Sequence, residues 1–302
     1  MNLWIPDQAG QDAIGELPAP VVLHRFARDR EPPQAIADAE FLVPRSGDPQ
    51  VRALLARLPA LRVIQTLSAG VEWVAPFVPA GVTLCDAGGT RDINVAEWVL
   101  ATILASLKTL PELRDRQREH EWDWRQSAEL AGSTVMILGY GAIGAAVEAR
   151  LAPFEVDVVR VARHARDGVH AVEQLGDLLA DADIVVVLLP LTDETSGLLD
   201  RSMLARMRQG ALLVNAARGR ILDTAALLEL LQAGRLRAAL DVTDPEPLPH
   251  DHPLWDAPGV LITPHFAGDT IAAERRAFAL VGEQVRRYTR SEALVNVVTD
   301  GY

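Results

Sequence analysis

The sequence predicts an α/β protein built from two doubly wound parallel sheets, and two observations support this. Short runs of β-branched or aliphatic residues alternate with helical stretches, which favours parallel strands joined by crossover helices. These runs fall into two series, separated by a long apolar segment, Val95–Leu107. The chain has 302 residues, 49% of them hydrophobic, so it is long enough to fill two cores of ordinary size.

The first series predicts a smaller sheet in the N-terminal part of the chain. Its predicted strands are Val21–His24, Glu40–Val43, Leu61–Thr66 and Val82–Cys85. Cys85 is the single cysteine of the sequence and is interpreted as a small core residue. Because one thiol forms no disulfide within the chain, a reducing compartment is expected.

Composition and charge exclude several classes of partner. The net charge of −12 offers no broad basic surface, so neither nucleic acid nor an anionic membrane is expected to bind. Met1–Gln11 has no basic stretch followed by an apolar run, and no apolar segment approaches the roughly 20 residues that a spanning helix needs. We therefore expect a cytoplasmic protein.

A helix is predicted between the two series of strands. Glu97 follows Asn94 by three residues, a spacing in which Asn94 caps the helix and Glu97 reaches back to it. The run Val95–Leu107 is apolar on nearly every face, which favours burial between the two domains.

The second series predicts a larger parallel sheet. Its strands are Thr134–Leu138, Asp157–Val161, Asp183–Leu189, Ala211–Asn215, Arg237–Asp241 and Val260–Thr263. The segment Asp244–Pro253 is predicted to be an irregular loop. A last helix, Ile271–Arg290, carries Phe278, Val281 and Val285 on one face and is expected to return to the first domain. The predicted domains are therefore residues 1–92 with 270–302, flavodoxin-like, and residues 93–269.

The segment Gly139–Gly144 has the pattern G-x-G-x-x-G, directly after a predicted strand and before a helical run. The first glycine allows a tight turn, the second lets backbone approach a pyrophosphate, and the third lets helix pack on strand. The helix N-terminus then faces the anion. The residues expected to bind a dinucleotide here are Gly139, Gly141, Ala142, Ile143 and Gly144.

The end of the next strand predicts which dinucleotide binds. An acid at this position would accept a hydrogen bond from a free ribose 2′-hydroxyl, but the sequence has Ala162, followed by Arg163 and Arg166. Two arginines favour a 2′-phosphate, so NADP(H) is expected, with NAD(H) as the second cofactor. The alternative, two solvated arginines in an arginine-rich chain, stays open.

Two further residues fit the reduction of a 2-oxo acid. A guanidinium can hold the substrate carboxylate and polarise the neighbouring carbonyl, and Arg218 follows the strand Ala211–Asn215 at the edge where ligands bind in such folds. His265 lies just past Val260–Thr263 on the same edge and can supply the proton that the carbonyl oxygen needs. Hydride transfer needs no metal and no ligand spacing recurs, so no metal is predicted.

Taken together, these motifs resemble the D-isomer-specific 2-hydroxyacid dehydrogenase family. Besides the glycine pattern they comprise Leu189–Thr192 with Thr195, Val214–Gly219, Leu240–Val242 followed by Pro245–Pro249, and Thr263–His265 with Ala267–Gly268. Within the family, Asp241–Thr243, Pro245–Pro249 and the turn Ala162–Arg166 are most similar to glyoxylate/hydroxypyruvate reductases.

The resemblance implies two similar α/β domains with the active site in the cleft between them, and a homodimer. Glu246 is implied as the carboxylate that orients His265 and favours its protonated form. The substrate carboxylate is implied to bind at Ala69 and Gly70 as well as at Arg218. The further cofactor contacts implied are Pro190, Thr195, Ala216, Asp241 and Gly268. Of these, Asp241 would hold the nicotinamide carboxamide.

The function expected is hydride transfer between NADP(H) and a small 2-oxo or 2-hydroxy acid, as in a glyoxylate/hydroxypyruvate reductase. Two other functions stay open: a cofactor-sensing dimeric scaffold of the same fold, and an oxidative dehydrogenase of a larger or phosphorylated hydroxy acid. The latter needs a second cation, for which Arg45 is the candidate.

The sequence departs from the family pattern at two positions. Met136 is interpreted as a core variation, and Asp269 is expected to disfavour doubly charged substrates.

Overall fold

A computed structural model of the protein describes residues 1–27, 31–45 and 47–299. The chain divides into two compact units, Met1–Arg91 with Asp269–Tyr302 and Asp92–Gly268. Residues 300–302 of the predicted first domain lie outside the described residues. The assignment of substrate binding to the first unit and cofactor binding to the second stays a prediction.

The strands are numbered in chain order through both units. They are β1 Asn2–Asp7, β2 Val22–Ala27, β3 Phe41–Leu42, β4 Val63–Gln65, β5 Thr83–Cys85, β6 Thr134–Leu138, β7 Asp157–Ala162, β8 His170–Ala171, β9 Ile184–Val187, β10 Ala211–Asn215, β11 Leu236–Leu240 and β12 Val260–Ile262. The α-helices are α1 Val51–Leu55, α2 Asp92–Leu107, α3 Leu110–Arg118, α4 Ala142–Leu151, α5 Leu175–Leu178, α6 Arg201–Arg206, α7 Thr224–Gln232 and α8 Ile271–Thr289.

The first unit contains a five-stranded parallel sheet in the order β2-β1-β3-β4-β5. Alternate residues of β1, β3 and β4 enter cores on opposite faces, as expected of a parallel sheet covered on both sides. Leu3 packs in the core that includes Phe278 of α8, whereas Trp4 packs in the core that includes Leu54 of α1. Helix α8, near the C-terminal end of the chain, thus belongs to this unit.

The inner strand β1 was not predicted from the sequence. Pro6 interrupts its short apolar run, and proline within such a run counts against a strand. In the structure the Trp4 carbonyl accepts a hydrogen bond from Val43 on the β3 side, so the missing amide of Pro6 faces the same side. Because β3 pairs only with Leu3 and Trp4, Pro6 lies beyond the end of that ladder and breaks none of its hydrogen bonds.

The second unit contains a seven-stranded parallel sheet in the order β12-β11-β10-β9-β6-β7-β8. The chain runs outward from β6 through β7 to β8 and then returns to β9 on the other side of β6. The carboxyl ends of β6 and β9 therefore flank the switch point, where ligands bind in open α/β sheets. Strands β6 and β10 have the predicted bounds, whereas β8, a two-residue edge strand too short to form a pattern, was not predicted.

Helix α2 begins earlier than the sequence indicated, and the predicted cap is wrong. The helix starts at Asp92, so Asn94 already lies within its first turn and is buried. The Asn94 amide instead donates a hydrogen bond to the Ala267 carbonyl, 3.0 Å away, and Glu97 pairs with Arg150 at 3.7 Å. The long-range acceptor at Ala267 gives Asn94 a partner that local spacing does not reveal.

Two interpretations of single residues are confirmed. Cys85 and Met136 are both fully buried, in β5 and β6 respectively.

Among the described residues no single helix is long and apolar enough to cross a membrane. Helices α2 and α3 meet that criterion only as a pair, and they bend by 63° at the break between them.

Candidate active site

The glycine pattern forms the turn between β6 and α4. Gly139 has φ +107, and a Cβ atom there would lie 2.6 Å from the carbonyl carbon of Leu188, so no other residue fits. A Cβ atom on Gly144 would lie 2.9 Å from the Gly139 carbonyl oxygen, which shows how closely α4 approaches the turn. A Cβ atom on Gly141 would project into open space.

This turn fits the pyrophosphate of a dinucleotide. Gly141 is the N-cap residue of α4 and brings no side chain to the first-turn amides, which start at Ala142 and Ile143. Amides at a helix N-terminus carry partial positive charge and bind anions. Because Gly141 faces open space and no side chain caps the helix, a phosphate can approach the backbone amides.

The two arginines expected at the cofactor ribose have different partners. Arg166 donates a hydrogen bond to the Tyr140 carbonyl inside the glycine turn, at 2.6 Å, and its guanidinium lies 5.8 Å from the centre of the Tyr140 ring. Arg163 pairs with Glu194 at 2.7 Å. Both side chains of this pair are more than half exposed, so the Arg163–Glu194 pair lies at the surface.

The remaining residues expected to contact the cofactor lie at strand ends of the second unit. Thr195 donates from its hydroxyl to the Pro190 carbonyl at 2.6 Å, which closes the loop after β9. The Ala216 amide donates to the Val187 carbonyl at 3.3 Å. These contacts shape the edge of the sheet; the role of each residue towards a cofactor stays a prediction.

Arg218 lies in a turn held by the buried Asn215 at the end of β10. The Asn215 side chain donates to the Arg218 carbonyl and accepts from the Ala217 amide, each at 3.0 Å. The next residue, Gly219, packs directly on the loop after β11: a Cβ atom at Gly219 would lie 2.0 Å from the Thr243 carbonyl oxygen. The absence of a side chain at Gly219 therefore lets the Arg218 turn and the segment that leads to Glu246 touch.

Glu246 and His265 are in direct contact. Glu246 lies in the irregular loop after β11, and its Oε1 atom is 2.5 Å from Nδ1 of His265. The side chains are 39% and 46% exposed, so the pair borders solvent. The irregular loop predicted at Asp244–Pro253 thus places a carboxylate against the imidazole.

The turn that carries His265 is held by Asp241, which is buried at the end of β11. One carboxylate oxygen accepts from the Thr263 hydroxyl at 2.6 Å and from the Phe266 amide at 2.9 Å, and the other accepts from the Ala267 amide at 2.9 Å. His265 itself has φ +53, in the left-handed region that few non-glycine residues adopt. The hydrogen bonds to Asp241 fix that conformation; a contact of Asp241 with nicotinamide stays a prediction.

The pKa values of His265 and Glu246 are shifted in opposite directions. The hydrogen bond and charge of Glu246 raise the pKa of His265, against the effects of burial and of the nearby Arg218 charge. The hydrogen bond from His265 lowers the pKa of Glu246, and the charges of His265 and Arg218 lower it further. An imidazolium held by a carboxylate, beside a guanidinium, can donate a proton next to a bound anion.

The residues expected to hold the substrate carboxylate in the first unit lie in a loop after β4. The Gly70 carbonyl accepts from the Ser68 hydroxyl at 2.9 Å and from the Trp73 indole at 3.2 Å, which rigidifies the backbone around Ala69. In the same unit Asp269 pairs with Arg91 at 2.8 Å. Arg91 therefore offsets the negative charge that we expected Asp269 to add.

The structure brings Arg218, Glu246 and His265 together within the second unit. The sequence did not indicate that Thr263 ties the turn to Asp241 or that Glu194 pairs with Arg163. Neither contact has a local signal, because each joins residues at least 22 positions apart.

The chain is similar to several known proteins. Residues 100–267 match the profile described as "D-isomer specific 2-hydroxyacid dehydrogenase, NAD binding domain". The chain is 33% identical over 276 residues to a D-3-phosphoglycerate dehydrogenase of Methanocaldococcus jannaschii, covering 88% of this chain and 52% of the relative. It thus spans about half the length of the phosphoglycerate dehydrogenases it matches.

Two further matches cover most of both chains. A glyoxylate reductase of Thermofilum pendens is 34% identical over 256 residues, which is 79% of this chain and 76% of that one. The crystal structure of an NADPH-dependent glyoxylate/hydroxypyruvate reductase from Sinorhizobium meliloti, in complex with NADP and sulfate, superposes with a TM-score of 0.82 at 27% identity, covering 98% of each chain. With its two parallel sheets, its glycine turn and these matches, the chain belongs to the D-isomer specific 2-hydroxyacid dehydrogenase family.

Proposed function

We propose that this protein reduces small 2-oxo acids such as glyoxylate and hydroxypyruvate, with NADP(H) as the preferred cofactor. The observation that carries the proposal is the Glu246–His265 contact of 2.5 Å with the Arg218 charge beside it. This set supplies what a 2-oxo acid needs: a cation for its carboxylate and a proton for its carbonyl oxygen.

The residues of the chain act as follows. Arg218 binds the substrate carboxylate and polarises the adjacent carbonyl through its fork of donors. Glu246 accepts from Nδ1 of His265, so Nε2 of the imidazolium is the atom that gives its proton to the carbonyl oxygen. When bound, a nicotinamide cofactor supplies the hydride for the carbonyl carbon. In the reverse direction the neutral His265 accepts the hydroxyl proton.

The turn after β7 supports the cofactor preference. Ala162 occupies the position where an acid would repel a 2′-phosphate. Arg163 and Arg166, which follow it, supply positive charge. A charge-assisted contact of about 1–3 kcal/mol corresponds to about a five- to 150-fold preference for NADPH. Because Arg163 is exposed, we expect a value at the lower end.

The test is the loss of near-ultraviolet absorbance of NADPH and of NADH with a panel of 2-oxo acids. We expect turnover with glyoxylate and hydroxypyruvate and a higher kcat/KM with NADPH. Arg163→Ala should lower the preference for NADPH. Equal or better use of NADH by the wild type contradicts the cofactor preference. Absence of turnover with every acid contradicts the enzymatic function and favours a cofactor-binding scaffold.

A second candidate function is oxidation of a phosphorylated hydroxy acid. It is favoured by the matches to D-3-phosphoglycerate dehydrogenases, although these relatives extend well beyond the matched region. It requires a second cation for the phosphate. Arg45 follows β3, and its guanidinium lies 5.4 Å from the centre of the Phe26 ring. A higher kcat/KM on 3-phosphohydroxypyruvate than on hydroxypyruvate, lost in Arg45→Ala, would establish this function instead.

A further inference from the structure

The Arg163–Glu194 ion pair joins two loops on opposite sides of the strand that carries the glycine turn. Arg163 directly follows β7, and Glu194 lies in the loop after β9. In the sheet β6 lies between these two strands, so the pair spans about 10 Å from one loop to the other. It therefore crosses the carboxyl end of β6, beside the switch point where a dinucleotide binds.

The neighbouring arginines, Arg160 and Arg166, have partners in the glycine turn and in α4. Arg160 is held by Glu148 of α4, with Nε to Oε2 at 2.8 Å, and lies 5.6 Å from the centre of the Tyr140 ring. Arg166 donates to the Tyr140 carbonyl. Arg163 differs from both, because its partner Glu194 lies in the loop after β9, on the other side of β6.

We propose that Glu194 is a specificity-determining residue, which competes with the cofactor 2′-phosphate for Arg163. The inference rests on the proposed binding of the cofactor at this turn. A 2′-phosphate must take Arg163 from Glu194, and the released carboxylate stays close to the phosphate and repels it. NADH has no such group, so its binding leaves the ion pair intact. Glu194 thus lowers the NADPH preference that Arg163 creates.

The size of the effect follows from the exposure of the pair. Exposed ion pairs are weak and screened by salt, so removing the competing charge should tighten NADPH binding about two- to tenfold at low ionic strength. The gain should shrink as salt is added. NADH affinity should stay the same.

The experiment measures Kd for NADPH and NADH by fluorescence titration of the full chain without substrate, so that turnover is not the readout. The variants are Glu194→Gln and, as a matched control, Asp193→Asn, which removes the same charge from the neighbouring exposed residue. Asp193 makes no ion pair with any residue that the structure describes. We expect Glu194→Gln to tighten NADPH binding alone, and Asp193→Asn to change it less than twofold.

The Arg163→Ala background completes the test. There, Glu194→Gln should have no further effect, because the contested guanidinium is gone. An equal gain in that background, or an equal gain from Asp193→Asn, would show a general charge effect and overturn the proposal. A wild type that binds NADH more tightly, yet responds to Glu194→Gln as described, contradicts the proposed cofactor preference and leaves the role of Glu194 standing.

Discussion

At the scale of single residues, the Glu246–His265 pair determines which protonation state the site presents. Both pKa shifts, upward for His265 and downward for Glu246, favour the charged forms, as expected for an ion pair. His265 therefore stays protonated above its ordinary pKa of about 6.5, which suits an acid that must work near neutral pH.

Replacing His265 should remove the proton donor without removing the cofactor site. We expect His265→Ala and His265→Asn to lower kcat by a factor of about 10²–10⁴ and to leave the Kd for NADPH unchanged. Asparagine tolerates the left-handed backbone at this position, so it separates lost chemistry from lost structure. His250→Ala, at an exposed histidine of the Glu246 loop, is the control and should retain full activity. Steady-state rates of the two His265 variants near the wild-type value would exclude His265 as the acid.

Replacing Glu246 by glutamine should change the pH dependence of the reaction. Glu246 raises the pKa of His265, so its loss lowers that pKa, and the acid form is depleted at a lower pH. The falling limb of kcat/KM for reduction should therefore move to lower pH, and so should the rising limb for oxidation. Glu229→Gln is the control, because Glu229 is an exposed partner of Arg201 in the same unit. Superimposable profiles for wild type and Glu246→Gln would disprove the pairing.

At the scale of elements, the site depends on how closely two loops of the second unit approach. Gly219, after β10, packs on the Thr243 carbonyl after β11, three residues before Glu246. The Asp241 carboxylate then ties the turn of His265 to the end of β11. The three catalytic candidates are thus positioned by neighbouring strands, β10, β11 and β12, and by the contacts between their loops.

Gly219→Ala should therefore damage both stability and activity. Its Cβ atom would lie 2.0 Å from the Thr243 carbonyl oxygen, so the backbone of one loop must move. We expect a loss of about 1–3 kcal/mol in the free energy of unfolding, together with a lower kcat because Glu246 moves with its loop. Gly176→Ala is the control, since the nearest neighbour of its Cβ atom would be the flexible end of Arg206 at 3.3 Å. Denaturant unfolding and kinetics equal to wild type would contradict the close packing.

At the scale of the whole molecule, the substrate is the property that family membership leaves open. Both glyoxylate reductases and D-3-phosphoglycerate dehydrogenases are similar to this chain. The described residues place one arginine, Arg218, beside the Glu246–His265 pair within the second unit. The single guanidinium of Arg218 can pair with the single carboxylate of a small 2-oxo acid.

We therefore expect small monoanionic substrates to be reduced better than phosphorylated ones. The measurement compares kcat/KM for glyoxylate, hydroxypyruvate and 3-phosphohydroxypyruvate at one ionic strength. We expect ratios of at least tenfold in favour of the small acids, which correspond to about 1.4 kcal/mol of discrimination against an unpaired phosphate charge. A reversed order would assign the phosphate to a further cation, with Arg45 tested first.

Features that depend on neighbouring residues can be predicted from the amino-acid sequence. The glycine turn and strands β6 and β10 could be predicted, because turn geometry and strand patterning act over a few positions. Arg218 and His265 are indicated by their chemistry and their positions after strands, whereas Glu246 is implied only by the family resemblance. Other features depend on contacts that form only in the folded chain. Strand β1 forms because β2 and β3 flank it, Asn94 donates to a residue 173 positions away, and Glu194 meets Arg163 across β6. Each of these contacts joins segments that are distant in sequence. Because no local pattern indicates such a contact, it could not be predicted before the fold was known.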